Sequence, residues 1–320
     1  MSLLPFQRAS ELPAEVAGTT RWLVEGLWSE QAVGILGGEP KCCKSFLALD
    51  LAVSVASGLP CLRRHPVRQS GRVLLFPAED SLAVVRRRLQ GICAAAGAAF
   101  EALPVEVITA PALRLDTEID RARLTSTVES LRPVLLILDP MIRLHRVDEN
   151  DASQIAVLLS FLRELQRRFG VAVVLVHHAR KDSNGSRPGQ ALRGSSELHG
   201  WGDSNLYMRR RGQQLTLTTE HRAAASQDDI PLELTEAGAA LSLTITAGPA
   251  DVAAAGPAAS PLDRVQQALT ELGEPASAQR IRELCGMRTS SVCESLAALA
   301  KQGIVVRDDR GYRLSRSQAA

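Results

Sequence analysis

Aromatic side chains make up only 3% of the 320 residues, too few for a surface that reads nucleic-acid bases by stacking them on rings. No apolar run reaches the roughly 20 residues that span a bilayer. Nor does an early segment join a basic stretch, a long apolar run and a small-residue cleavage site. Neither membrane insertion nor secretion is expected, and the chain is expected in the cytoplasm. The six cysteines, at 42, 43, 61, 93, 285 and 293, include no C-x-x-C pair and have no histidine at ligand spacing. They suit neither zinc nor a disulfide framework and read as small core hydrophobes. The net charge of +2 means that any nucleic-acid footprint must be local rather than global.

What is present is a long alternation of short apolar runs with helical patterns. AVGIL (32–36), RVLLF (72–76), VEVITA (105–110), PVLLILD (133–139) and VAVVLVHH (171–178) read as buried strands. Between them lie helical stretches at 44–58, 81–97, 117–131 and 152–169. Apolar strands alternating with helices predict an α/β fold with a mostly parallel central sheet covered on both faces. NLYMRR, QQLTLTT and LSLTITA, the last near 241–247, predict an antiparallel extension. At roughly 150 residues per domain the length predicts two domains. The Ala/Gly/Pro stretch 247–260 marks the linker. The expected layout is an N-terminal arm (1–28), an α/β domain (29–246), the linker, and a small α+β unit (261–317). In the last, Val265, Leu269 and Leu272 mark one helix, Ile281 and Leu284 a second after the helix-starting Ser277, and Val292, Leu296 and Leu299 a third. A hairpin over 304–314 follows, with its turn at Asp308–Gly311; three helices and a hairpin in this order read as winged-helix-like.

The stretch GGEPKCCKS carries the chemistry. From Gly38 to Ser45 it fits G-x-x-x-x-G-K-[ST], with Cys43 in place of the second glycine. Such a loop between a strand and a helix points backbone N–H groups at an anion, aided by the helix dipole. Gly38, Glu39, Pro40, Lys41, Cys42, Cys43, Lys44 and Ser45 are the candidate nucleotide-binding residues, for ATP. Lys44 reaches the outer phosphates and Ser45 offers its hydroxyl to Mg2+. Cysteine is small enough for position 43 if its backbone angles are helical. Asp139, at the carboxyl end of a buried strand, is the second Mg2+ handle. Glu79, at the end of another strand, is the candidate base for the attacking water. Asp80 precedes a serine and a helix and is assigned to the helix N-cap. His177 and His178 end a third strand, and one of the pair is a candidate γ-phosphate sensor.

The segment 179–196 is rich in Gly, Ser and Arg and reads as a loop. It holds Arg180, Lys181, Arg187 and Arg193 against Asp182, an excess of three positive charges. Across 277–317, eight Lys/Arg oppose four acids, and Arg288 and Arg310 join the four loop cations as candidate DNA contacts. On the third helix of this unit Arg288, Ser290, Ser291 and Glu294 form the solvent face.

GGEPKCCKS, PAEDS, LILDPMIRLHRVDENDAS, VHHARK and RGSS, in this order across roughly 30–210, resemble the motifs of the RecA-type ATPases. Within that group they are most similar to the plasmid replicative helicases of the RepA family. The resemblance implies nucleotide at a subunit boundary, a hexameric ring, Glu79 as catalytic base, Asp139 as magnesium carboxylate and His178 as coupling residue. It also places loop 179–196 toward a channel for single-stranded DNA, while duplex DNA would fall to the C-terminal unit. The chain departs from the family at Cys43 and at Asp203, which stands where spacing from RGSS puts the family's arginine finger; Arg193 or one of Arg209–Arg211 is left as a substitute. The C-terminal unit is an addition to the family's core pattern. The expected function is a DNA-associated ring ATPase serving replication of a plasmid or mobile element. The alternatives are a nucleotide-gated DNA-binding regulator with little hydrolysis, and an ATPase acting on a protein partner.

Overall fold

The computed structural model describes residues 6–11, 21–149, 151–178, 196–237, 240–246, 261–285, 287, 289–308 and 311–315. Its contacts divide the chain into two compact units, Met1–Thr246 and Ala247–Ala320.

The first unit is built on one nine-stranded sheet. Its parallel strands are β3 (Val33–Gly38), β4 (Val73–Pro77), β5 (Val105–Val107), β6 (Leu135–Asp139) and β7 (Ala172–His178). The antiparallel extension is β8 (Ser204–Arg211), β9 (Gln214–His221), β10 (Gln227–Ala237) and β11 (Ala240–Ile245). In space the order is β11-β10-β9-β8-β3-β7-β6-β4-β5, with β8 lying parallel to β3. The sheet is therefore mostly parallel, as the sequence predicts.

Successive residues of the inner strands feed two cores, one on each face. Leu135 and Ile137 of β6 and Val174 and Val176 of β7 enter the first core; Leu136, Leu138, Val173 and Leu175 enter the second. Helices α1 (Lys44–Ser57) and α2 (Leu82–Ala96) close the first face. Helices α3 (Glu118–Leu131), α4 (Ala152–Phe169) and α5 (Ser196–Trp201) close the second. The ends follow local chemistry. Gly58 and Gly97 terminate α1 and α2 in the left-handed region, with φ of 76° and 73°. Asp151 starts α4 by accepting from the backbone N–H of Ser153 and Gln154.

Three expectations are corrected here. The arm does not extend to 28: β1 (Trp22–Val24) and β2 (Trp28–Ser29) pair, and Leu23, Val24, Leu27 and Trp28 are buried in the first core. Strand β10 was not expected, because DDIPLELTEA carries a proline and four acids and lacks an apolar run. It nevertheless pairs with both β9 and β11 and buries Leu232. Helix α5, which starts at Ser196 and runs to Trp201, was likewise unforeseen.

The second unit holds α6 (Pro261–Leu272), α7 (Ala278–Cys285), α8 (Thr289–Lys301) and the hairpin β12 (Val305–Asp308) with β13 (Gly311–Leu314). Ser277 accepts from Arg280 N at the start of α7. Val265, Leu269, Ile281, Val292, Leu296 and Leu299 form its core. Leu284 is 47% exposed and the neighbouring Cys285 is buried instead, because a short helix can turn only one of two adjacent residues inward. The linker 247–260 lies outside the described residues.

β3 can lie against β8 only because position 34 has no side chain. A Cβ at Gly34 would stand 1.7 Å from the carbonyl oxygen of Ser204, so the strands would have to part. Gly34→Ala is expected to destabilise the unit by at least about 3 kcal/mol, read from its urea midpoint.

Candidate functional site

The site lies at the carboxyl edge of the parallel strands, where loops gather in open α/β sheets. β3 ends at Gly38, whose φ of 154° leaves no room for a side chain: a Cβ would meet Met208 O at 2.4 Å and Cys42 Sγ at 2.7 Å. The chain then loops through Glu39, Pro40 and Lys41 and enters α1 at Lys44. Lys44 is buried, and its ammonium donates to the carbonyls of Gly38 and Glu39 at 2.9 and 2.8 Å. Burial pulls its pKa below the ordinary lysine value, partly opposed by Cys42 and Asp139.

Cys43 occupies the N-cap of α1 with φ 65° and ψ 25° and makes no side-chain cap bond. The condition under which a cysteine fits easily is therefore not met. The residue sits in the left-handed region that glycine adopts freely and other residues adopt at a cost of roughly 1–2 kcal/mol. Its Sγ lies 3.4 Å from Arg210 Nη2.

A cavity of about 300 Å3 opens beside this loop. Lys41, Cys43, Lys44, Ser45, Glu79, Asp139 and His178 line it together, joined by Phe46, Pro77, Asp80 and Arg88. Residues from the ends of β4, β6 and β7, the loop after β3 and the head of α1 thus converge on one space. His178 pairs in register with Gly38, whereas His177 points to the other face and is buried. The alternation of a strand separates the two histidines.

The carboxylates differ in their surroundings. Glu79 is held by Arg143 Nε at 3.0 Å. Asp80 pairs with Arg88, whose guanidinium stacks 4.9 Å from the Phe46 ring centroid. Asp80 is not the N-cap: Ser81 fills that role, accepting from Val84 N at 3.4 Å, because its shorter side chain is the one adjacent to the first helical residue. Asp139 is raised from 3.8 to about 6. Burial is the main cause, opposed by the Ser45 hydroxyl and reinforced by Asp80. A carboxylate disfavoured as an anion, hydrogen-bonded to a serine and facing a phosphate-type loop, fits a small divalent cation that would repay its desolvation. Among the described residues no group of three or more His, Cys, Asp or Glu could hold a metal by itself. Ser45 and Asp139 are the side chains that could hold a small divalent cation such as Mg2+, which takes few protein ligands and completes its shell from phosphates and water.

Asp203 lies elsewhere. It binds Arg163 of α4 and Arg222, at 2.9 Å for the latter, and its backbone N–H donates to Val33 O at 2.7 Å. Val33 begins β3, so Asp203 clamps the edge of the sheet opposite the cavity. Arg180, Lys181, Arg187, Arg193, Arg288 and Arg310 lie outside the described residues. Sequence reading missed Arg88, Arg143 and Phe46; Arg143 lies within the quoted LILDPMIRLHRVDENDAS motif but was given no role there, and Arg88 and Phe46 fall outside the quoted motifs. No helix among the described residues is long and apolar enough to cross a membrane.

The fold and this loop define a RecA-like P-loop ATPase architecture. Residues 5–184 match the family described as AAA domain, and the chain belongs to that family. Solved structures share the fold at low identity. The RadB recombinase gives a TM-score of 0.51 at 16% identity, covering 68% of this chain and 91% of that one. The ATPase domain of G40P gives 0.51 at 14%, covering 64% and 82%. A DnaB-like replicative helicase, solved with attention to its interactions with primase, gives 0.52 at 14%, covering 67% and 59%. No curated protein matches the chain.

Two outcomes follow. Asp203→Ala is expected to lower stability by about 1–3 kcal/mol while leaving nucleotide affinity unchanged, checked by thermal melts and nucleotide titration. A folded pKa near 6 above an unfolded value of 3.8 means that stability from this group falls as pH rises through that window. Asp139→Asn is therefore expected to raise the nucleotide-free melting temperature at pH 8 and to leave it nearly unchanged at pH 4.

Proposed function

We propose that the chain is an ATP-binding and ATP-hydrolysing DNA-associated motor, similar to RepA helicases, that assembles as a hexameric ring and serves replication or maintenance of a plasmid or mobile element. The observation that carries the reading is the convergence of Lys44, Ser45, Glu79, Asp139 and His178 on one cavity. The family match supports nucleotide binding, and the fold is shared with a replicative helicase and a recombinase.

In this reading the backbone N–H groups at the head of α1 and the Lys44 ammonium hold the phosphates of ATP. Lys44 leaves its two carbonyl partners for phosphate oxygens, charge-assisted acceptors of greater strength. Ser45 and Asp139 would hold Mg2+, which supplies charge neutralisation on the phosphates when bound. Glu79 accepts the proton of the water that attacks the γ-phosphorus as the bond to the ADP oxygen breaks. Arg143 positions that carboxylate from outside the cavity. His178, level with Gly38 in the neighbouring strand, reports the state of the γ-phosphate to the segment that follows it. The segment 179–196 contacts single-stranded DNA, and the winged-helix-like C-terminal unit contacts duplex DNA. In that unit Arg307 stacks 5.3 Å from the Tyr312 ring centroid and Arg313 pairs with Asp308, so both are ordered on the hairpin.

The second reading, a nucleotide-gated DNA-binding regulator, draws on the Glu79–Arg143 ion pair. The Arg143 guanidinium, which does not line the cavity, occupies an oxygen of the carboxylate that would otherwise be free to orient a water.

Steady-state ATP hydrolysis, with and without single-stranded DNA, separates the two. Glu79→Gln is expected to lower kcat by roughly 10²–10⁴-fold with ATP affinity retained. Native turnover that is negligible and indifferent to DNA would leave the regulator.

A further inference from the structure

The position where the helicase-type pattern has a cationic finger is a structural aspartate in this chain, and three successive arginines, Arg209, Arg210 and Arg211, end β8. Sequence does not choose among them, but the strand does. β8 runs parallel to β3 with Met208 level with Gly38, so the residues after Met208 pass beyond the carboxyl end of β3, beside the nucleotide loop. Leu206 and Met208 point into the core on the α1 side and Tyr207 into the other. Side chains alternate, so Arg210 is turned to the α1 side and Arg209 and Arg211 away from it.

The guanidinium arrives at the loop itself. Arg210 Nη2 is 3.4 Å from Cys43 Sγ, and Cys43 lines the same cavity as Lys44, Ser45 and Asp139. Arg210 Nε is buried and, among the described residues, has no hydrogen-bond partner. A guanidinium has five donors in a planar fork. Here a weak thiol acceptor engages one end while a buried donor is left unused, an arrangement that a polyphosphate oxygen would complete with charge-assisted hydrogen bonds.

We propose that Arg210 is a phosphate-binding residue of its own subunit's nucleotide site, and that the Cys43 thiol steers its guanidinium over the loop. The cation missing at position 203 is thereby supplied from within the chain. This also gives the cysteine a purpose: glycine at 43 would relax the backbone but would leave Arg210 without its local acceptor. The inference rests on the reading of the cavity as an ATP site.

The test is titration of the full chain with ATP and ADP in the presence of Mg2+, together with thermal melts. Arg210→Gln is expected to weaken ATP binding by about tenfold or more without lowering the melting temperature, and Arg210→Lys, which keeps the charge but not the fork, to fall between. In a Cys43→Gly background the effect of Arg210→Gln is expected to shrink. Equal ATP affinity in native and Arg210→Gln protein would overturn the assignment. So would a gain of turnover on mixing Arg210→Gln with Lys44→Ala chains above that of either alone, since such a gain shows that Arg210 acts across a subunit boundary. A native chain that binds no ATP would overturn the function proposed above and this assignment with it, an outcome distinct from the other two.

Discussion

The junction of β3 with β8 is the constraint on which the rest of the site depends. Two glycines admit it, Gly34 against Ser204 O and Gly38 against Met208 O, and Asp203 locks its far end through Val33, Arg163 and Arg222. Asn205 reinforces it, accepting from Ile35 N at 3.0 Å. Because β8 is parallel to β3, it starts beside Gly34 and ends beside Gly38, so its carboxyl end reaches the loop rather than pointing away from it. The loop thus has β7 with His178 on one side and β8 with Arg210 on the other.

Among the described carboxylates around the cavity, two are ion-paired and the third is not. Asp80 has Arg88 and Glu79 has Arg143, while Lys44 is satisfied by carbonyls of its own loop. Asp139 is left with a serine hydroxyl and the less direct influence of Lys44, which is why burial raises it to about 6. Burial disfavours the charged form of Asp139, and a cation beside it would offset that cost.

Much of the first unit was legible because inner parallel strands are buried on both faces and read as continuous apolar runs. The strands at 33–38, 73–77, 135–139 and 172–178 and the helices between them fall where periodicity and glycine caps put them. The losses were at the margins. β10 pairs through its backbone and buries little, so its acidic sequence carried no strand signal. Trp22–Ser29 is too short for a period to show, and its burial comes from the core it happens to cover. Leu284 and Cys285 are adjacent candidates for one inward position, a choice that packing makes.

For the cavity, the meeting of the loop before α1 with the strand-end acids Glu79 and Asp139 was legible in the sequence, since it depends on local backbone geometry and on chain position at a strand's carboxyl end. Tertiary structure alone decided the rest. Asp203 became a clamp because the fold carries it to the edge of the sheet away from the cavity. Asp80 was drawn to Arg88, one residue short of the cap. Arg210 was separated from its identical neighbours because strand alternation gives adjacent side chains opposite faces, and only the register against β3 says which face looks onto Cys43.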